Sequence, residues 1–255
     1  MKIQKDFRAR VLAREWLAGT WVATGSPVAA EIAGLAGFDW VLLDHEHGPG
    51  GEETMLHQLL AVSGTPAVPL VRIAANETPR FKRALDAGAH GVMVPFINTV
   101  SEAQAAVAAM RYPPRGLRGV VKINRGSNYG ADWEEYYLHA HEWLPFIAQI
   151  ETPEAVANID AIAAVDGVDV LFVGPTDLTH NLGIRDQLDH PDFLAAQQRV
   201  VAAAKKHGKA AGILVHVPGL VARCREQGFS FVALGSDGGV LRAGFGQNLA
   251  TLRGK

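Results

Sequence analysis

The sequence predicts an α/β fold, a parallel (β/α)8 TIM barrel, on two observations. Eight short runs rich in Val, Ile, Leu and Phe recur along the 255 residues, and Ala-rich helical stretches separate them. The runs are apolar throughout, which is typical of strands buried on both faces of a parallel sheet. Eight such units in about 250 residues match one barrel, and a doubly wound open sheet is the main alternative. We therefore expect a single barrel domain over residues 1–255.

The predicted strands follow one another at regular spacing. They are residues 20–25, 40–44, 67–73, 90–96, 144–151, 168–175, 210–216 and 231–237. The helices predicted between them include 54–63, 77–87, 101–111, 153–164, 191–207 and 219–227. The pair Thr152-Pro153 is a typical helix start, and Gly208 is a typical helix end. The first twenty residues predict a charged amphipathic helix.

One long interruption, residues 112–143, separates the fourth and fifth predicted strands. Pro113, Pro114 and several glycines exclude a regular helix in its first half. A loop of this length in a compact domain is usually functional or an oligomer contact.

Composition and charge exclude several classes of protein. The net charge is -2 and the pI about 6.5, so the chain has no electrostatic footprint for nucleic acid or for an acidic membrane. A lone cysteine, Cys224, cannot form an intrachain disulfide. The first residues lack the apolar core of a signal peptide, and no apolar run approaches the length of a membrane span. We expect a cytoplasmic protein.

The polar residues that could carry chemistry stand at the carboxyl ends of the predicted strands. In a parallel barrel these ends meet on one face, where active sites form. The residues are Asp44, His45, Glu46 and His47 after the second strand, Arg72 after the third, Gln149 and Glu151 after the fifth, Thr176 and Asp177 after the sixth, His216 after the seventh, and Ser236 and Asp237 after the eighth.

Glu151 and Asp177 are candidate metal ligands. They follow sequential strands, which are usually neighbours in the sheet. Two carboxylates without a thiolate suit a hard divalent cation, with water and substrate oxygens completing its shell. The expected ion is Mg²⁺, Mn²⁺ or Co²⁺. The alternative is that each carboxylate caps the helix that follows it.

Arg72 and the Asp44–His47 segment offer binding and proton transfer. The Arg72 guanidinium can bind a substrate carboxylate in bidentate fashion, or it can form an ion pair with a nearby acid. Asp44 can orient the imidazole of His45 or His47 as a general base. A His-x-His metal pair of the amidohydrolase type would require histidines after the fifth and sixth strands, where Glu151 and Asp177 stand instead.

Two covalent mechanisms lack their nucleophile. A Schiff-base enzyme on this scaffold needs a lysine at the carboxyl end of a strand, and none of the eight lysines is predicted there. Cys224 falls inside a predicted helix, which disfavours a cysteine nucleophile. Metal-assisted acid–base chemistry on a small carboxylate remains.

Several segments together resemble the HpcH/HpaI aldolase family, the metal-dependent class II pyruvate aldolases, and in particular its 2-dehydro-3-deoxyglucarate aldolases. The similarity runs in the same order over nearly the whole chain. The segments are GFDWVLLDHEHGP, PLVRI, VPFINTVSEAQAAV, RYPPRGLRGV, QIETPEAVANIDAI, GVDVLFVGPTDL, GKAAGIL and FVALGSD.

The resemblance implies roles for individual residues. The family's base dyad matches Asp44 and His47, with His45 standing where the family has glycine. It further implies a (β/α)8 barrel whose last helix is swapped between subunits, usually in hexamers. The remaining matches are Glu151 and Asp177 for the metal, Arg72 and Gln149 for positioning pyruvate, the Thr176 and Asp177 amides for the carboxylate, Leu214 facing the aldehyde, and Asp86 lent to a neighbouring subunit's site.

The implied reaction is reversible cleavage of a 4-hydroxy-2-keto acid, such as a 2-keto-3-deoxy sugar acid, into pyruvate and an aldehyde. Tartronate semialdehyde, succinic semialdehyde, lactaldehyde and sulfolactaldehyde all remain possible aldehydes. Two alternatives stay open from the sequence: a non-catalytic barrel that binds sugar acids, and an amidohydrolase-type metal hydrolase.

Overall fold

The protein folds as a closed barrel of eight parallel strands in sequential order, in a computed structural model that describes residues 3–254. This confirms the predicted (β/α)8 fold, and the doubly wound alternative is wrong. The strands are β1 Leu17–Val22, β2 Trp40–Asp44, β3 Val68–Arg72, β4 Val92–Val94, β5 Phe146–Ile150, β6 Val170–Val173, β7 Ala210–Val215 and β8 Phe231–Ser236.

Helices cover the outside of the barrel. The predicted helix 153–164 is two short helices, because the chain turns at Asn158. The α-helices are α1 Phe7–Leu12, α2 Pro27–Leu35, α3 Glu52–Val62, α4 Thr78–Asp86, α5 Val100–Met110, α6 Trp133–Trp143, α7 Pro153–Ala157, α8 Ile159–Ala163, α9 Pro175–Asn181, α10 Pro191–Lys206, α11 Val221–Gln227 and α12 Asp237–Leu252. No helix among residues 3–254 is long and apolar enough to cross a membrane.

Strand alternation sorts the side chains into an inner and an outer core. On β2, Trp40 and Leu42 pack inside the barrel, whereas Val41 and Leu43 pack between the sheet and the helices. Asp44 is the next residue in the inward series. Its carboxylate therefore lies at the mouth of the barrel, the opening at the carboxyl ends of the strands. The same alternation aims the last inward residues of the other strands at this mouth.

Aromatic side chains close the opposite end of the barrel. The Trp40 and Phe231 rings stack with centroids 4.1 Å apart, and Phe7 of α1 packs edge-on against Phe231 at 6.4 Å. Gly19 lies against the Trp40 indole, where an added Cβ would approach Trp40 Cε2 to 2.2 Å. The barrel therefore opens only at the carboxyl ends of its strands.

The long segment 112–143 is ordered by a buried arginine. Arg118 lies over the Tyr112 ring at 4.4 Å, and it donates hydrogen bonds to Tyr136 Oη and to Asp86 Oδ1. The second half of the segment forms α6, and the first half has no α-helix, as predicted. Asp86 ends α4, a helix that returns from the mouth, so it lies away from this chain's own mouth.

The final helix α12 buries almost none of its surface against its own barrel. None of its residues is buried, although it carries several large apolar side chains. A second exposed apolar stripe lies on α2, at Val28, Ile32 and Leu35. The exposed apolar residues of α12 are Val240, Leu241, Phe245, Leu249 and Leu252.

Candidate active site

A buried ion pair between adjacent strands forms one wall of the mouth. Asp44 of β2 stands directly beside Arg72 of β3 in the parallel register. Arg72 Nε donates to Asp44 Oδ1 at 2.9 Å and Nη2 to Oδ2 at 2.7 Å, which is the bidentate geometry of a strong pair. Arg72 Nη1 also lies 2.8 Å from Glu46 Oε2. The sequence left an ion pair open for Arg72, and the structure contains one.

These contacts determine the ionisation of Asp44. Burial by itself raises the pKa of Asp44, but the Arg72 guanidinium and two backbone N–H groups outweigh it and leave that pKa below its usual value. Asp44 is therefore ionised. Two of the five guanidinium N–H groups bind Asp44 and Nη1 contacts Glu46, so the terminal nitrogens of Arg72 keep N–H groups that can bind a substrate oxygen.

The loop after β2 is built on the Asp44 carboxylate. Asp44 Oδ1 accepts from the backbone N–H groups of Glu46, at 3.1 Å, and of His47, at 3.3 Å. Gly48 lies close beneath, since a Cβ there would be 2.2 Å from Asp44 O. Gly48 is thus required for this turn.

The predicted hydrogen bond between the Asp44 carboxylate and the His47 imidazole is not formed in the described structure. Among the described residues, the hydrogen bonds of the Asp44 carboxylate go to Arg72 and to backbone N–H groups. The His47 side chain is 69% exposed, and its Nε2 lies 3.9 Å from Glu46 Oε2. Asp44 therefore fixes the backbone that carries His47, and Glu46 faces the imidazole.

His45 points away from the mouth. It follows Asp44 with the opposite strand orientation, and its Nε2 lies 3.0 Å from Oε1 of Gln58, a fully buried residue of α3. Burial lowers the pKa of His45, so the ring is neutral. His45 does not line the pocket mouth, because strand alternation places it in the helix layer.

Glu151 lies buried at the opposite wall, after β5. Gln149 Nε2 donates to its Oε1 at 2.8 Å, and the backbone N–H of Phe96 donates to its Oε2 at 3.1 Å. Gly174 of the neighbouring strand end makes room for it, since a Cβ there would lie 2.4 Å from Glu151 Oε1. Each carboxylate oxygen therefore has one donor and keeps lone-pair capacity.

Three carboxylates converge on the space between the walls. Burial raises the pKa of Glu151 to about 7; the charges of Asp177 and Glu46 add to this, while the Phe96 N–H and Arg72 oppose it. Burial likewise raises the pKa of Glu46. The site without a bound ion thus has more negative charge than its single arginine compensates.

The donor set fits a hard divalent cation. Glu151 and Asp177 offer carboxylate oxygens, and the Gln149 Oε1 atom is buried without a hydrogen-bond partner among the described residues. No group of three or more His, Cys, Asp or Glu in residues 3–254 is arranged to hold a metal by itself. Glu151 and Asp177 would therefore share an ion with water and substrate. The capping alternative for Glu151 is wrong, because Thr152 caps α7.

The other predicted residues fall into two groups. Thr176 and Asp177 occupy the first turn of α9 at the mouth, and the half-buried Leu214 points inward from β7. Asp237 instead binds the loop after β1, accepting from the Ala23 and Thr24 backbone N–H groups. Asp86 stands apart, paired with Arg118.

Three residues at the site were not predicted from the sequence. The Trp21 ring lies 5.6 Å below the Arg72 guanidinium and packs against Phe172 at 5.5 Å. Glu46 was among the polar residues predicted at the strand ends, and it lies at the mouth because it is two residues beyond Asp44 in the inward series. The role of the Phe96 backbone had no signal in the sequence.

The fold and site define a TIM-barrel enzyme. Among the described residues, its acidic mouth contains the buried Arg72 and no lysine at a strand end. A profile of the HpcH/HpaI aldolase/citrate lyase family matches residues 17–243. The chain belongs to this family, and the resemblance read from its motifs is confirmed. It is an aldolase-type lyase, so the non-catalytic and amidohydrolase alternatives no longer stand.

Known relatives cover nearly the whole chain. The 5-keto-4-deoxy-D-glucarate aldolase of Salmonella arizonae is 43% identical over 238 residues, 93% of each protein. An HpcH/HpaI aldolase/citrate lyase family structure from Burkholderia cenocepacia has a TM-score of 0.93 and 36% identity, covering 98% of this chain and 100% of that one. The HpcH/HpaI aldolase from Desulfitobacterium hafniense has a TM-score of 0.88 and 28% identity, with 97% and 96% covered.

Proposed function

We propose that this protein is a divalent-metal-dependent aldolase that cleaves 5-keto-4-deoxy-D-glucarate, or a close 2-keto-3-deoxy sugar acid, into pyruvate and an aldehyde. The observation that carries the proposal is the convergence of Glu151, Asp177 and Arg72 on one mouth, in a chain 43% identical to a protein of that activity. The bond that breaks lies between the carbon next to the keto carbon and the hydroxyl-bearing carbon. For this substrate the aldehyde is tartronate semialdehyde.

The residues of the mouth divide the reaction between them. A bound divalent cation would polarise the keto oxygen and stabilise the enolate charge. With the keto carbon numbered C2, His47 takes the proton from the hydroxyl group on C4. The electron pair of the C3–C4 bond then becomes the pyruvate enolate. The terminal N–H groups of Arg72 that do not bind Asp44 bind oxygen as charge develops on it. The proton then goes to C3, which completes pyruvate.

Binding of the 2-keto acid uses the remaining residues of the mouth. The first-turn amides of Thr176 and Asp177 bind the pyruvate carboxylate, and Gln149 orients the keto acid. Leu214 faces the aldehyde half. Glu46 Oε2 lies 3.9 Å from His47 Nε2, so its charge stabilises the ring when the base is protonated, whereas Asp44 positions the loop and Arg72.

A panel of 4-hydroxy-2-keto acids tests the proposed function. We expect pyruvate release, measured with a coupled assay, to be fastest with 5-keto-4-deoxy-D-glucarate and to stop on addition of a chelator. Added Mg²⁺, Mn²⁺ or Co²⁺ should restore it. Turnover that survives thorough removal of metal would contradict the proposed cofactor, and absence of pyruvate from every substrate would contradict the activity.

The two histidines of the loop should behave differently. His47→Ala should lower kcat by roughly a hundred-fold or more, the usual scale for the loss of a general base. His45→Ala should leave kcat within a few-fold and lower stability by about 1–3 kcal/mol, because Gln58 loses its buried partner. Steady-state kinetics and thermal unfolding measure both. A larger kcat loss for His45→Ala, in folded and metal-loaded protein, would make His45 the base.

The exposed helix α12 supports an oligomer. Its apolar side chains and the α2 stripe of Val28, Ile32 and Leu35 are surfaces that a neighbouring subunit would cover. We propose that α12 packs on another subunit's barrel in a homo-oligomer, with the hexamer of the family as the expected size. Asp86 would then be available to a neighbour's site.

Mass measurement in solution tests the assembly. The parent protein should have the mass of a hexamer, and Phe245→Asp should shift it to smaller species because it charges the apolar face of α12. Gln247→Glu changes charge on the same helix without removing apolar area, so it should keep the parent mass. An active parent monomer would refute the assembly and remove Asp86 from any site.

A further inference from the structure

A strained backbone lies beside the buried carboxylate. Phe96 follows β4 with a φ of 52°, in the left-handed region that residues other than glycine rarely adopt. Its ring is 44% exposed, so packing of the side chain does not impose this conformation. Strain of this kind persists only where the surrounding contacts over-determine it.

The two residues that follow Phe96 are held by hydrogen bonds. The backbone N–H of Ile97 donates to Gln149 O at 3.2 Å, which ties the segment to β5. Asn98 O accepts from Asn158 Nδ2 at 2.8 Å, and the Asn98 N–H donates to Glu102 Oε2 at 2.8 Å. These bonds leave the Phe96 peptide little freedom to turn.

What the left-handed conformation supplies is one hydrogen bond to Glu151. The Phe96 N–H reaches Oε2 at 3.1 Å, while Gln149 Nε2 reaches Oε1 at 2.8 Å. The carboxylate is 2% exposed, so these two donors set its position in place of water. A ligand carboxylate held in this way loses little freedom when a cation binds.

We propose that Phe96 is a positioning residue: its left-handed backbone aims an N–H at Glu151 and so orients that carboxylate for a divalent cation. The role belongs to the backbone, and the side chain need only tolerate a positive φ. This inference rests on the proposed metal site.

A series of substitutions at one position separates backbone from side chain. Phe96→Gly and Phe96→Asn remove the ring but adopt a positive φ readily, so they should bind Mn²⁺ within about threefold of the parent. Phe96→Val is β-branched and resists this conformation, so it should bind Mn²⁺ about ten- to a hundred-fold more weakly. Calorimetric titration measures the affinity, and thermal unfolding verifies the fold.

Arg14→Val is the matched control. Arg14 is exposed and also left-handed, with a φ of 57°, but it follows α1 at the closed end of the barrel. It should lose stability as Phe96→Val does and keep the parent affinity for Mn²⁺.

Each outcome of these measurements either supports or overturns the inference about Phe96. Parent-like affinity in Phe96→Val would overturn it, because the N–H would not matter. A large loss in Phe96→Gly would also overturn it, because the ring would then carry the effect, and this variant stays informative if Phe96→Val does not fold. A parent protein that binds no Mn²⁺ would overturn the metal site itself, which is a distinguishable failure.

Discussion

Glu151→Gln is expected to abolish chelator-sensitive activity, lowering kcat/KM by roughly a thousand-fold or more. A metal ion that acts as a Lewis acid stabilises the transition state by several kcal/mol. Each 1.36 kcal/mol of activation free energy changes the rate by a factor of about ten. The substitution keeps the size of the side chain beside Gly174, so the fold should survive. Calorimetric titration with Mn²⁺ and the coupled pyruvate assay measure the two losses.

The same variant carries a prediction about pH. In the folded protein without metal the pKa of Glu151 is raised to about 7, above its value in the unfolded chain. At any pH above the unfolded value, ionised Glu151 therefore destabilises the folded state. Replacing it with a neutral amide should therefore raise the stability of the metal-free protein at pH 8, by up to about 3 kcal/mol. Parent affinity for Mn²⁺ should fall about tenfold per pH unit below 7, because a proton must leave first.

Glu154→Gln provides the comparison. Glu154 is exposed on α7, three residues further along, and the same chemical change there should leave activity, affinity and stability at parent levels. A Glu151→Gln protein with full chelator-sensitive turnover would contradict the metal assignment.

Arg72→Lys is expected to lower kcat by roughly a hundred- to a thousand-fold, even though the charge is kept. The guanidinium holds Asp44 through two parallel hydrogen bonds and contacts Glu46 with its third nitrogen. A lysine ammonium is a point donor that cannot keep this geometry and still present N–H groups to the enolate. Loss of one oxyanion donor alone usually costs about a hundred- to a thousand-fold.

Thermal unfolding and kinetics together test the role of this pair. Arg72→Lys should also destabilise the fold, because Asp44 is buried and loses a bidentate partner. Arg80→Lys changes an exposed arginine that pairs with Glu77, and it should alter neither property measurably. Parent-like turnover in Arg72→Lys would show that charge, and not the fork geometry, is what the site requires.

Strand alternation explains why much of the site could be predicted. Once the run ending at Asp44 is identified as a strand, the inward position of Asp44 and the outward position of His45 follow from the two-residue repeat. The register that pairs Asp44 with Arg72 follows from their equal position at the ends of neighbouring strands. The same repeat places Glu46, two residues beyond Asp44, on the inward side at the mouth.

Features that depend on contacts between distant segments could not be predicted. The first strand is predicted at residues 20–25, whereas β1 is Leu17–Val22 and includes Gly19. The glycine lies within the strand because the Trp40 ring occupies the space of its side chain. The Asp44–His47 pairing failed for a similar reason, since Arg72 already occupies the carboxylate.

The aromatic floor of the barrel determines how products leave. Because Trp40, Phe231 and Phe7 seal the lower end, substrate enters and both products depart through one opening. In the proposed binding mode pyruvate lies at the deeper groups, Arg72 and Gln149, and the aldehyde lies between it and solvent. The aldehyde must therefore dissociate first, so pyruvate should inhibit cleavage competitively against the substrate and the aldehyde non-competitively. Competitive inhibition by the aldehyde would require a second exit.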